Sequence, residues 1–333
     1  ATMIDAGLPL VQALDLLGQQ EPHKRFRAII SKVKEEVESG STFADALKSH
    51  PATFDDLYVN LVAAGELGGV LDTILNRLAS YIEKSMKLAS QVKGAMVYPS
   101  VMVVVAVGVI TLMLWKVIPV FQNMFGSMGN AALPGPTQFV INLSHFVQAN
   151  IFYMAIIAVG GYVGWKAFYN SKRGRELFDI FMLKTPIFGP LLRKVAVAKF
   201  TRTMGTMLAS GVPILDALNV VARSAGNKVI EHGLEYVRDR IAEGRGMADP
   251  LAETKIFPHM VVQMIAVGES TGAMDTMLQK IADFYDDEVD AAVSALTSML
   301  EPMMMVVLGG AIGGMMIAMY MPIFSMAGNV NTG

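Results

Sequence analysis

The 333 residues are 53% apolar and only 17% charged, with a mean hydropathy of +0.44. That is too apolar for an ordinary soluble domain, in which about a quarter of the residues carry charge. A net charge of −2 predicts neither nucleic acid nor an acidic substrate as partner, and the absence of cysteine excludes disulfides, thiol nucleophiles and thiolate metal sites.

From the N-terminus, Pro9 in "GLPL" sits at a first-turn position, where its missing N–H costs nothing. Glu21-Pro22 opens a helix predicted to run to Ser39. Thr42 and Asp45 form a capping box before "ADALKSH", which Pro51 stops. "DDLYVNLVAAGE" (55–66) reads as a helix with two acids in its first turn, stopped by Gly68-Gly69. Leu71, Ile74, Leu75, Leu78 and Ile82 then recur at helical spacing. The uncharged stretch 94–115 would span about 33 Å as a helix, enough for a hydrocarbon core of about 30 Å. A turn-rich segment, "NAALPGPTQF" (130–139), follows, and then a second apolar candidate at 146–165. The basic stretch "KAFYNSKRGRELF" (166–178) reads as an anchor beside the second span. The third candidate is "PMMMVVLGGAIGGMMIAMYMPIF" (302–324).

Lysine and arginine number ten in 1–97 and sixteen in 166–297, with Lys116 alone between them; 117–165 and everything after Pro322 are uncharged. Basic residues are retained on the cytoplasmic side. Both charged sectors are therefore expected in the cytoplasm, with an outer loop between the first two spans and the C-terminus outside. The domains expected are a helical bundle at 1–93, membrane helices at 94–118, 146–165 and 298–324, an outer loop at 119–145, a second bundle at 166–297 and an outer tail at 325–333.

The chain matches itself. "TMIDAGLPLVQALDLL" (2–17) pairs with "TMLASGVPILDALNVV" (206–221) at an offset of 204. "VNLVAAGELGGVLDTILNRLASY" (59–81) pairs with "VQMIAVGESTGAMDTMLQKIADF" (262–284) at an offset of 203. The repeated unit is a helical bundle followed by a membrane helix. "VAVAKFTRTMG" (195–205) has no counterpart before Ala1, so the sequence is expected to begin inside a helix with part of the natural N-terminus missing. Gly268, Ser270 and Gly272 also fit the G-x-S-x-G nucleophile elbow, which needs a strand before the serine and a helix after it. Here both flanks read as helix, and the first copy has Leu67 in the serine's place. No convincing strand is found, so the fold class is all-α: two repeated helical-bundle domains and three transmembrane helices.

The paired "AGELGG" and "VGESTGAMD" turns, the "YP" and "LEP" openings of membrane helices, and "AMYMPIF" near the end resemble the PilC/GspF family, the inner-membrane platform proteins of type IV pili and type II secretion. "EVDAAVSALTSMLEP" is more similar to the pilus branch. The resemblance implies a non-enzymatic bacterial inner-membrane scaffold whose bundles engage a hexameric assembly or retraction ATPase. Pilin subunits, other inner-membrane alignment-complex proteins and a second copy of the chain are the further partners expected. The chain has no G-x-x-x-x-G-K-[ST] phosphate loop, so any work is powered elsewhere, and no cofactor is expected.

Glu66, Asp72, Glu269 and Asp275 fall at matching places in the two copies. They are candidates for docking the ATPase, or else serve helix ends, where acids suit the helix dipole. Glu301, at the inner edge of the third span, is a further candidate, or an interfacial acid reaching back to water. Gly309, Gly310, Gly313 and Gly314 make overlapping G-x-x-x-G patterns, candidates for a contact between membrane helices within or between chains.

Overall fold

A computed structural model describes residues 1–127, 134–186 and 188–329. Among these residues there are helices and no strand. The chain divides into two compact units. One comprises Ala1–Ser90 and Glu176–Ala291; the other comprises Gln91–Arg175 and Ala292–Gly333.

The first half of the first unit holds α1 (Thr2–Asp5), α2 (Leu10–Gln20), α3 (Lys24–Glu38), α4 (Phe43–Lys48), α5 (Asp56–Gly68) and the start of α6 (Leu71–Leu112). Local chemistry sets the boundaries. The Thr42 hydroxyl accepts from the Asp45 amide at 3.1 Å, and the Asp55 carboxylate accepts from the Tyr58 amide at 2.9 Å. Each satisfies a first-turn N–H that no helical carbonyl can reach. Gly69 ends α5 with φ of +67°, a left-handed cap that costs glycine nothing.

A π-helical turn (Met113–Val117), α7 (Ile118–Ser127) and α8 (Gly135–Asn170) follow. Then come α9 (Lys172–Lys184), α10 (Phe188–Ala209), α11 (Ile214–Ser224), α12 (Lys228–Ala242), α13 (Ala248–Glu253), α14 (His259–Thr271) and α15 (Met274–Asn329). The two halves of the first unit pack in the same order: α2 on α3, α3 on α4 and α4 on α5, then α11 on α12, α12 on α13 and α13 on α14.

The halves share one apolar core. Leu47, Leu61, Ile74 and Leu78 belong to it from the first half; Met204, Leu234, Ile265 and Leu278 belong to it from the second. The helical spacing of residues 71–82 is borne out at Ile74, Leu75 and Leu78, whereas Ile82 is exposed. One difference between the halves is large. In the second, α10 lays Phe200 on Phe257, ring centroids 4.9 Å apart. Phe54, at the matching position of the first half, instead borders an apolar cavity of about 340 Å³.

Two helical runs among the described residues are long and apolar enough to cross a membrane, Leu71–Phe125 and Met274–Phe324; each starts in the first unit and continues into the second. Val101, Val104 and Val107 on α6, and Met305, Val306 and Ile317 on α15, are exposed. Such a continuous apolar surface is rare on a protein bathed in water, and the protein is a membrane protein. The 146–165 candidate lies within α8 and is not one of these two runs. Of the turn-rich segment, residues 130–133 lie outside the described residues, and 135–139 already belong to α8. Residues 330–333 of the tail also lie outside them.

The second unit is pinned by two hydroxyls on α8. Pro322, inside α15, has no N–H for the carbonyl four residues back, that of Ala318. The Thr137 hydroxyl, 3% exposed, donates to that carbonyl. Pro119 likewise leaves the π-helical turn without an N–H for the Leu114 carbonyl five residues back. The Ser144 hydroxyl, 1% exposed, donates there. Thr137, Val140, Ile141 and Ser144 fall on one helical stripe. The apolar members of that stripe pack with Leu114, Ile118, Met315 and Ala318.

Candidate functional site

The matching "GE" pairs of the two halves turn out to be corner pieces. Gly65 lies where α5 crosses α6: a Cβ there would stand 2.9 Å from Ile74 Cγ1 and 3.3 Å from the Leu71 Cα. Gly268 does the same where α14 meets α15, with Met274 Cα at 3.0 Å. Only a residue without a side chain allows the two helices of each corner to approach this closely.

The next residue reaches away from its own helix. The Glu66 carboxylate accepts from the amides of Phe43 at 2.7 Å and Ala44 at 2.8 Å, the first N–H groups of α4. The Glu269 carboxylate accepts from the amides of Met247 at 2.8 Å and Ala248 at 3.5 Å, at the start of α13. A carboxylate at a helix N-terminus meets free N–H groups and the positive end of the helix dipole together. Each acid thus ties its own helix to a helix start 21 to 23 residues earlier in the sequence.

The halves differ around this bond. In the first, Thr42 adds a third acceptor to the start of α4. In the second, Gly246 stands in its place, and a Cβ there would lie 2.8 Å from both Glu269 carboxylate oxygens. Threonine and the observed position of Glu269 therefore exclude each other.

The other candidates fall as follows. Asp72 is exposed in the first turn of α6. Asp275, in the first turn of α15, is half-buried on the wall of a polar cavity. Beside Glu66, Leu67 is 92% exposed, and the matching Ser270 returns its hydroxyl to the Val267 carbonyl at 3.0 Å. Ser270 is the second-last residue of α14, four residues before α15 begins, without the strand a nucleophile elbow requires. Glu301 is exposed on α15 in the second unit, so it is not grouped with the four acids of the first. A Cβ at Gly309, Gly310, Gly313 or Gly314 would meet nothing within 4 Å. The expected glycine contact is therefore not made between helices of this chain among the described residues. No group of three or more His, Asp or Glu able to hold a metal occurs among the described residues.

The sequence reading missed two sets of groups. Thr137 and Ser144 carry a weak signal in sequence, two hydroxyls seven residues apart on an apolar helix. The other set links the halves of the first unit. Tyr81 and Thr203 share a hydrogen bond of 3.1 Å, Lys84 pairs with Asp283 at 2.8 Å, and Arg77 donates to the Ala209 carbonyl. Lys199, near Asp55 of the first half, donates to the Ser224 carbonyl, and burial pulls it below the ordinary lysine range.

Comparison with known proteins gives a consistent result. Residues 1–119 and 200–322 match the family described as "Type II secretion system (T2SS), protein F". Over 332 residues the chain is 60% identical to the type IV pilus assembly protein PilC of Myxococcus xanthus, covering 99% of this chain and 79% of the relative. It is 41% identical to the protein of that name from Pseudomonas aeruginosa, covering 99% and 88%. A type II secretion system protein F of Aeromonas hydrophila is 33% identical, covering 99% and 85%.

Proposed function

The chain belongs to the type II secretion system protein F family, and from that premise we propose that it is the inner-membrane platform of a type IV pilus machine. It couples a cytoplasmic hexameric ATPase to the insertion or removal of pilin subunits and has no reactive chemistry of its own. The observation that carries this reading is the 60% identity, along 99% of the chain, to a type IV pilus assembly protein. Deleting the protein abolishes surface pili and leaves turnover by the purified ATPase intact; normal piliation in the deletion strain refutes the reading. A second reading, the platform of a type II secretion system, is supported by the 33% identity to a protein F. Loss of exoprotein secretion with pili retained would select it.

In this proposal the chain crosses the membrane three times, with residues 146–165 as the second span. Both helical halves of the first unit face the cytoplasm, and the C-terminus is periplasmic. The charge asymmetry of the sequence supports this orientation. A periplasm-active reporter fused after residue 130 is active, and one fused within residues 210–250 is inactive. The opposite pattern overturns the topology.

Glu66 and Glu269 hold the corners, and Asp72 and Asp275 present charge beside them to the ATPase. Glu301 is the remaining candidate, for pilin or an alignment-complex protein at the membrane edge. In-cell photocrosslinking from positions 72 and 275 yields an adduct with the ATPase. The open face at Gly309 and Gly313 is proposed as the contact between two copies. The chain lacks cysteine, so Gly309→Cys and Gly313→Cys report that contact directly, as disulfide-linked dimers.

A further inference from the structure

We propose that the first unit holds a binding site for a soluble phosphate-bearing anion of nucleotide size, built where its two halves meet. A cavity of about 710 Å³ lies between α6, α10 and α15, within the range of about 300–1,000 Å³ typical of small-molecule sites. Four cations line it, Arg77, Lys84, Arg202 and Lys280, against a single lining acid, Asp275. Two of the four have carboxylates behind them: Lys84 pairs with Asp283 and Arg202 with Asp286. Those pairs hold the two cations in place. Arg77 turns toward the Ala209 carbonyl, and no ion pair is formed by Lys280 among the described residues.

Two features separate this cavity from a wet gap. Arg202 is 3% exposed and paired with Asp286, so the wall carries a buried, held charge and not a solvated one. The cavity wall also repeats. Asn76 and Arg77 on α6 occupy the places that Gln279 and Lys280 occupy on α15, at the offset of 203. Two helices thus present the same amide-cation pair to one space. The Asn76 amide donates to Asp5 at 2.7 Å and the Gln279 amide to Asp283 at 3.4 Å, so the cations are what the space offers to phosphate oxygens, which accept only. A ligand contacting both helices stabilises the joined state of the two halves by linkage.

The site shares Asp275 with the proposed ATPase contact, but it is tested on this chain without that partner. The test uses the full chain in nanodiscs, with inorganic pyrophosphate and metal-free ATP as probes in titration calorimetry. Binding with a dissociation constant below about 1 mM and mutual competition between the probes is the expected result. Lys280→Glu weakens both by about tenfold or more, since the exposed rim cation is replaced by repulsion. Lys87→Glu, an exposed cation of α6 outside the cavity, leaves both unchanged. Sulfate binding as tightly as pyrophosphate, equal effects of the two substitutions, or no heat with either probe would each overturn the proposal. Thermal unfolding of Lys280→Glu without ligand matches the parent chain, which separates loss of binding from loss of fold.

Discussion

The two units leave opposite halves of the peptide group without a helical partner, and they answer with different side chains. In the first unit the orphans are N–H groups at the starts of α4 and α13, and carboxylates take them. In the second the orphans are carbonyls below Pro119 and Pro322, and hydroxyls take them. An N–H wants an acceptor, and a carboxylate whose other lone pairs reach water is the strongest one available. A carbonyl wants a donor. Among apolar helices a neutral hydroxyl supplies it without the desolvation cost of a lysine or arginine. The difference teaches that the surroundings, more than the missing bond, choose the side chain that replaces it.

The largest test of this contrast is Glu66→Ala. It removes two charge-assisted bonds to the start of α4 and is expected to cost about 3 kcal/mol, read as a lowered unfolding midpoint of the full chain in detergent. Glu269→Ala is expected to cost about 2 kcal/mol, because its second bond is longer. Equal losses would mean that the longer bond matters as much as the short ones. Gly65→Ala pushes a methyl group into Ile74 and the α6 backbone and is expected to cost about 2 kcal/mol by overpacking, with the same measurement.

Thr137→Val keeps the shape and removes the donor, leaving the Ala318 carbonyl unmet, for about 1–2 kcal/mol. Thr137→Ser retains the hydroxyl and is expected to stay within about 0.5 kcal/mol of the parent. If valine and serine behave alike in thermal unfolding, the hydroxyl does not hold α15. The smallest effect on stability belongs to Leu67→Ser, which copies Ser270 into the first half. At 92% exposure it changes stability by less than about 0.5 kcal/mol. Any loss of piliation it causes is therefore a loss of contact and not of fold.

Particular residues show what could be read in advance. Thr42 and Asp45 announced a helix start because a capping box is local: acceptor and amide lie three residues apart. Gly69 announced a helix end for the same reason, since a left-handed φ is a property of one residue. Glu66 and Glu269 were legible as matching acids, but not in their role. Each was expected to dock a partner or serve its own helix end, and each holds the start of a different helix.

The sequence by itself determined the all-α class, the apolar runs fit for a membrane, the internal matches and the family. All of these follow from composition, spacing and short-range geometry, which act along the chain. Only the tertiary structure decided that Thr137 would meet the Ala318 carbonyl 181 residues away, that Gly65 would lie at a crossing, and that Arg77 and Lys280 would face one cavity. Such contacts depend on which helix faces pack together. That choice is made by the burial of the whole apolar surface and leaves no periodic trace near the residues it brings together.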